Sequence, residues 1–309
     1  MLIYKIAGSI YAFTTFTEAI AILLALVSIF RLKLWRYLPF YYLATANLIN
    51  DFVMTLVHLI YMTPAVLAES YIFEQTINSV WVKFFSFCYV TTWYTGCALD
   101  LIIAFDRLFM IKRWNFAFSS RETVFWIAVF AFIVAVSVNA TAFMISPCCR
   151  FLLNWEYFGY AFYNPSNTFN YTDSIIDLPL NIVTSSISLI CYTWIGFHIL
   201  FERKRISSGE AISFGRKRDY TLAINYGVIA LLFTTSWLML RIFDWVFHFQ
   251  YQWMLAVTPF MVMLKCSANA LIFLKNNKQI RRDIREMFGC RIGQASNNTV
   301  NTSQSQSRY

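Results

Sequence analysis

Seven stretches of this chain are long and apolar enough to cross a bilayer, and the cationic residues fall in alternate gaps between them. The runs cover approximately 6–30, 40–62, 81–111, 123–145, 178–201, 221–247 and 253–274. A helix needs about 20 mostly apolar residues to span the hydrocarbon core, and irregular backbone cannot face lipid there. The gaps then set the orientation. Arg31, Lys33 and Arg36 follow the first run, and Arg107, Lys112, Arg113 and Arg121 surround the third gap. Arg203, Lys204, Arg205, Arg216, Lys217 and Arg218 fill the fifth. Lys275, Lys278, Arg281, Arg282, Arg285, Arg291 and Arg308 follow the seventh. Only Lys5, Lys83, Arg150, Arg241 and Lys265 of the 25 cationic residues lie elsewhere. Positive charge stays in the cytosol. The expected fold is therefore an all-α membrane protein, a seven-helix bundle with its amino terminus outside and its carboxyl terminus inside.

Composition excludes the main alternatives. Charged residues make up 13% of the chain and hydrophobic residues 59%, whereas a soluble domain carries about 25% charge. The net charge of +9 is dispersed between apolar runs, which makes it a topology signal and gives no basis for binding nucleic acid. The seven cysteines show no metal-binding spacing, and the three histidines, His58, His198 and His248, are far apart. No HExxH, P-loop or Gly-rich nucleotide loop is present, so neither enzyme activity, a cofactor nor a metal is expected. The first run lacks a basic leader and a small-residue cleavage site, and reads as a retained helix.

The outer connections carry less information. The second holds Glu69 and Glu74 without a base, and the fourth, 147–177, contains the sequon Asn170-Tyr171-Thr172, a glycosylation candidate. The receptor unit is expected to end near 291. Within it, 275–288 places Ile280, Ile284, Met287 and Phe288 at helical spacing among bases, the pattern of an amphipathic helix on the inner membrane surface. Cys290 is a palmitoylation candidate beside it. The polar tail, 292–309, is expected to be disordered.

The third run ends in Asp106-Arg107, and Asp100 lies two helical turns before Arg107 on nearly the same face. With the seven-run frame and the short basic helix, this resembles the G-protein-coupled receptors, and more narrowly the nematode serpentine chemoreceptors. Asp106-Arg107-Leu108 resembles that superfamily's Asp-Arg-Tyr, and LATAN at 43–47 resembles Leu-Ala-x-x-Asp with Asn47 in the acid's place. NALIF at 269–273 resembles Asn-Pro-x-x-Tyr, keeping Asn269 but with Ala270 and Phe273. The sixth run lacks Cys-Trp-x-Pro, and no cysteine stands near Val82 at the top of the third. The resemblance implies a receptor that binds a small molecule from outside and activates a heterotrimeric G protein. Asp106, Arg107, Asn269 and Phe273 would form the coupling switch for Gα. The implied location is the plasma membrane, in relatives the sensory cilium.

Further assignments hang on that register. Asp51 follows Asn47 by four residues and Lys265 precedes Asn269 by four, so Asp51, Asp100 and Lys265 are expected inside the bundle. There they would pair, with Lys265 in place of the sodium ion of many relatives. A retinal-binding lysine would fall at Met263 and an amine-binding aspartate at Tyr89, which argues against photoreception and leaves no amine counter-ion. Tyr89, Trp93, Trp237, Arg241 and Asp244 are the ligand-pocket candidates. Arg241 and Asp244 are spaced to pair with each other, and Glu18 has no evident partner. Cys148 and Cys149, in an oxidising compartment, are candidates to bridge to Cys88. The competing classes are a seven-helix ligand-gated channel, which would require the inverted topology, and a transporter, which would show repeats and broken helices.

Overall fold

The computed structural model describes residues 2–36, 39–74, 76–112, 120–144, 149–164, 169–206, 214–247 and 255–289. Seven crossings run in sequence. The first is α1 (Leu2–Arg31), and the second is α2 (Pro39–Val57) continuing into α3 (Thr63–Ala68). The others are α4 (Val80–Lys112), α5 (Arg121–Met144), α6 (Leu178–Ile206), α7 (Phe214–Phe247) and α8 (Val257–Asn276). A further helix, α9 (Lys278–Met287), follows at the inner end.

Six of these helices are long and apolar enough to span a membrane by composition alone. The exception is α4, whose Thr, Tyr and Asp residues dilute its hydropathy. It tolerates them because it is the central helix, packed against α2, α5, α6 and α7. Large side chains such as Phe13, Trp126, Phe130 and Trp194 instead point outward from the peripheral helices, where lipid is the solvent.

The second crossing is not a regular helix. A π-helical turn, His58–Met62, joins α2 to α3, and Pro64 follows it. Proline supplies no N–H and crowds the carbonyl four residues back, and the wider turn absorbs that defect without ending the crossing. The helix stops where Glu69 turns left-handed, at φ 51°.

The long outer connection holds an antiparallel hairpin, which the apolar periodicity gave no reason to expect. Strands β1 (Arg150–Asn154) and β2 (Gly159–Tyr163) pair from Arg150↔Tyr163 to Asn154↔Gly159. Their turn is set by the Asn154 side chain, which accepts from the Glu156 N–H, and by Phe158 at φ 58°. The hairpin roofs the bundle. Leu152, Leu153 and Phe158 are buried, Ser86 on α4 accepts from the Leu153 N–H at 2.9 Å, and Tyr4 of α1 stacks on Phe158. Gly159 is required at this contact, since a β-carbon there would lie 2.7 Å from Pro259 of α8.

An apolar cluster under the hairpin contains Tyr61, Tyr89, Tyr160 and Val262. Toward the inner end, Leu43, Leu99, Ile103 and Tyr226 form another, and Ile29, Leu48, Phe273 and Ile280 a third. Between outer and inner clusters lies a buried polar layer containing Glu18, Asn47, Asp51, Asp100, Lys265 and Asn269.

Candidate functional site

The central helix α4 passes three polar stations on its way from the hairpin to the inner face. The middle one is built on Lys265. Its ammonium donates to Asp51 of α2 at 2.9 Å and lies 3.7 Å from Asp100 of α4. Asn269, one turn along α8, donates to the second oxygen of Asp51 at 2.8 Å, and Asn47 donates to Asp100 at 3.0 Å. The sequence spacings put Asp51, Asp100 and Lys265 on inward faces but do not say which acid Lys265 takes. In the fold Asp51 is the close partner. Gly96 leaves the space: a β-carbon there would lie 3.3 Å from Asn50 and 3.9 Å from Lys265. Glu18, without a partner in the sequence, joins this station from α1 by accepting from the Thr55 hydroxyl, whose residue follows Asp51 by one turn. Its placement depends on helix packing, which no spacing within α1 reveals.

At the inner station Arg107 is buried and donates from Nε to Asp106 at 3.0 Å. Its guanidinium also lies over the ring of Phe40, 3.9 Å from the centroid. Phe40, at the start of the second crossing, meets Tyr226 of α7 edge-on at 5.7 Å. A desolvated cation–π contact of this kind is worth about 2 kcal/mol, so the arginine is tied through one ring to the sixth crossing. The four residues grouped as the switch divide in space. Asn269 belongs to the middle station, and Phe273 packs near Tyr41, which accepts from Asn277 at the cap of α9. Phe40, Tyr41 and Phe273 line an inner cleft of about 490 Å³ between α2, α7 and α8. Helix α9 is held there by buried Ile280 and by Asp283, 3.5 Å from Arg31.

The outer station is a cavity beneath the hairpin, lined by Tyr89, Trp93, Trp237 and Arg241. It offers about 40 Å³ to water-sized occupants, room for only a few waters. Tyr160 and Phe151 of the hairpin also line it, with Tyr160 stacked on Tyr89 at 3.8 Å. Burial, and secondarily Tyr89, pushes the Tyr160 phenol well above its ordinary pKa. Trp93 donates to Asn181 at 3.1 Å and Trp237 to Ser185 at 2.8 Å, which fixes both indoles.

Arg241 reaches beyond its own helix to two acids. Its described partners are on the neighbouring crossing, Asp177 at 2.8 Å and Asp173, in the turn that leads into α6. These two acids stand four residues apart, so one helical face presents both. The Asp244 side chain lies outside the described residues.

The expected bridge to Cys88 is corrected. Cys149 is disulfide-bonded, but Cys88 is a free thiol. It sits eight residues into α4, about 12 Å below the outer end, on the flank facing α5. Cys149 is held above by the hairpin. Cys148, Cys290 and the tail lie outside the described residues. Asn170 is half-buried, and its side-chain oxygen accepts from the Asp173 N–H at 3.0 Å. No group of three or more metal-ligating side chains occurs among the described residues.

A family model described as serpentine type 7TM GPCR chemoreceptor Srx matches residues 15–276. No curated protein matches the chain. Among solved structures, that of squid rhodopsin superposes with a TM-score of 0.75, covering 94% of this chain and 86% of that one at 15% identity. At that identity the likeness is one of fold.

Proposed function

The chain belongs to the serpentine type 7TM GPCR chemoreceptor Srx family, and from that premise we propose a plasma-membrane receptor that couples a small extracellular molecule to a heterotrimeric G protein. The ligand enters the cavity under the hairpin, and the response leaves through Arg107 and the inner cleft. The observation that carries this reading is the tie of Arg107 to α7 through Phe40 and Tyr226. A receptor signals by repopulating two arrangements of its helices, and it needs an element whose position both ends sense. Crossing α7 qualifies: Trp237 and Arg241 line the outer cavity, while Tyr226 abuts Phe40 near the inner end.

The middle station gives the bundle a reason to respond as a unit. Lys265, Asp51 and Asp100 join crossings two, three and seven through buried charges, which are costly to leave unpaired. Small displacements at the cavity therefore shift whole helices. Only a few kcal/mol of preference for one arrangement is needed to move the population. The small cavity implies that the ligand seats itself by displacing the hairpin or the outer end of α7.

The test is Arg107→Ala in cells carrying an amino-terminal epitope tag and a second-messenger reporter. Challenged with a panel of small molecules, the variant is expected to lose every response seen for the parent while surface labelling stays unchanged. Responses of parental size from the variant would refute the coupling role.

A further inference from the structure

Resting on the reading of the outer cavity as the ligand pocket, we infer that it selects a small organic cation, an amine, and that Asp177 is its counter-ion. The charge count carries this. Arg241 and Asp177 line the cavity, and Arg241 faces a second carboxylate, Asp173, behind them, so the described charges of this cluster sum to one negative. All three side chains are about four-fifths buried or more, and an uncompensated charge is costly there. An amine on Asp177 would leave Arg241 on Asp173 and bring the count to zero. An anion would need Arg241 to abandon both acids and would then sit beside them.

The walls agree with that charge. Tyr89, Trp93, Phe151, Tyr160 and Trp237 line the cavity, and aromatic side chains attract organic cations. A separate observation points to a polar ligand. The Tyr160 hydroxyl is buried without a hydrogen-bond partner, in a residue only 6% exposed, and it lines the same cavity. Such a group is usually satisfied, and a ligand N–H or O–H would satisfy it. Position 89 is a tyrosine on α4, so the acid comes from the start of the fifth crossing instead.

The inference is tested by titrating the detergent-purified full-length receptor with phenethylamine, hydrocinnamate and phenethyl alcohol, which share a ring and differ in charge. Binding is read as a shift in melting temperature. Phenethylamine is expected to bind at least about tenfold more tightly than either analogue. Asp177→Asn should weaken it by at least about tenfold. Arg241→Gln, which removes the competing cation, should tighten it, and this opposite sign does not follow from damage to the fold. Equal binding of the three, preference for hydrocinnamate, no binding at millimolar concentration, or an amine affinity unmoved by either substitution would overturn the assignment. The readout involves no G protein. A receptor that binds the amine but never drives nucleotide exchange would sink the coupling role alone, whereas exchange evoked only by hydrocinnamate would sink the amine assignment alone.

Discussion

At the scale of residues, the middle station carries the sharpest energetic statement. Removing Lys265 would leave Asp51 and Asp100 buried in each other's field. Loss of one partner from a buried pair costs about 3 to 5 kcal/mol. Lys265→Met should therefore lower the stability of the detergent-solubilised receptor by that amount. Asp51→Asn added to it should restore part of the loss, giving a coupling energy well above about 0.5 kcal/mol in a double-mutant cycle. Strictly additive losses in thermal denaturation would show that the 2.9 Å contact contributes nothing specific. Part of this station was legible in the chain, because a charge inside an apolar run is conspicuous and four-residue spacing fixes a helix face. Glu18 and Phe40 were not. Each acquires its meaning from a neighbour on another helix, Thr55 and Arg107 respectively, and periodicity reports the face of a residue but not what it faces.

At the scale of elements, the helices follow from apolar length and the hairpin does not. Its strands are five residues each, RFLLN and GYAFY, too short for alternation to stand out beside helices of 19 to 34 residues. Their turn depends on Asn154 and on a left-handed Phe158, a residue not usually chosen for that conformation. The hairpin is pinned to α4 where Ser86 accepts from the Leu153 N–H. Ser86→Ala strands a buried donor, at about 1 to 3 kcal/mol. Hydrogen exchange at β1 should accelerate by roughly tenfold or more while the middle of α4 stays protected. Unchanged exchange at β1 would mean that the roof is held by its apolar contacts alone. The π-helical turn at His58–Met62 was equally hidden. Pro64 lies just beyond the apolar run at 40–62, and the crossing absorbs it and continues to Ala68.

At the scale of the whole molecule, the alternation of basic and non-basic gaps fixes the path of the chain, and the fold shared with squid rhodopsin at 15% identity shows how little sequence that path demands. Each membrane-facing position needs only to be apolar, so identity drifts while the order of crossings persists. The interior carries the specific contacts: a lysine between two acids at its centre, a hairpin closing its outer end, and an aromatic ring between its arginine and its sixth crossing. The last of these makes the central claim testable without a ligand. If Phe40 holds Arg107 and α7 in the resting arrangement, Phe40→Ala should free both. Nucleotide exchange on a panel of purified Gα subunits is the measurement, using detergent-purified parent, Phe40→Ala and Phe40→Ala with Arg107→Ala at matched concentration. The account predicts ligand-independent exchange several-fold above the parent for Phe40→Ala, returning to the no-receptor rate in the double variant. Exchange by the single variant no faster than the parent, or by the double variant as fast as the single, would contradict it.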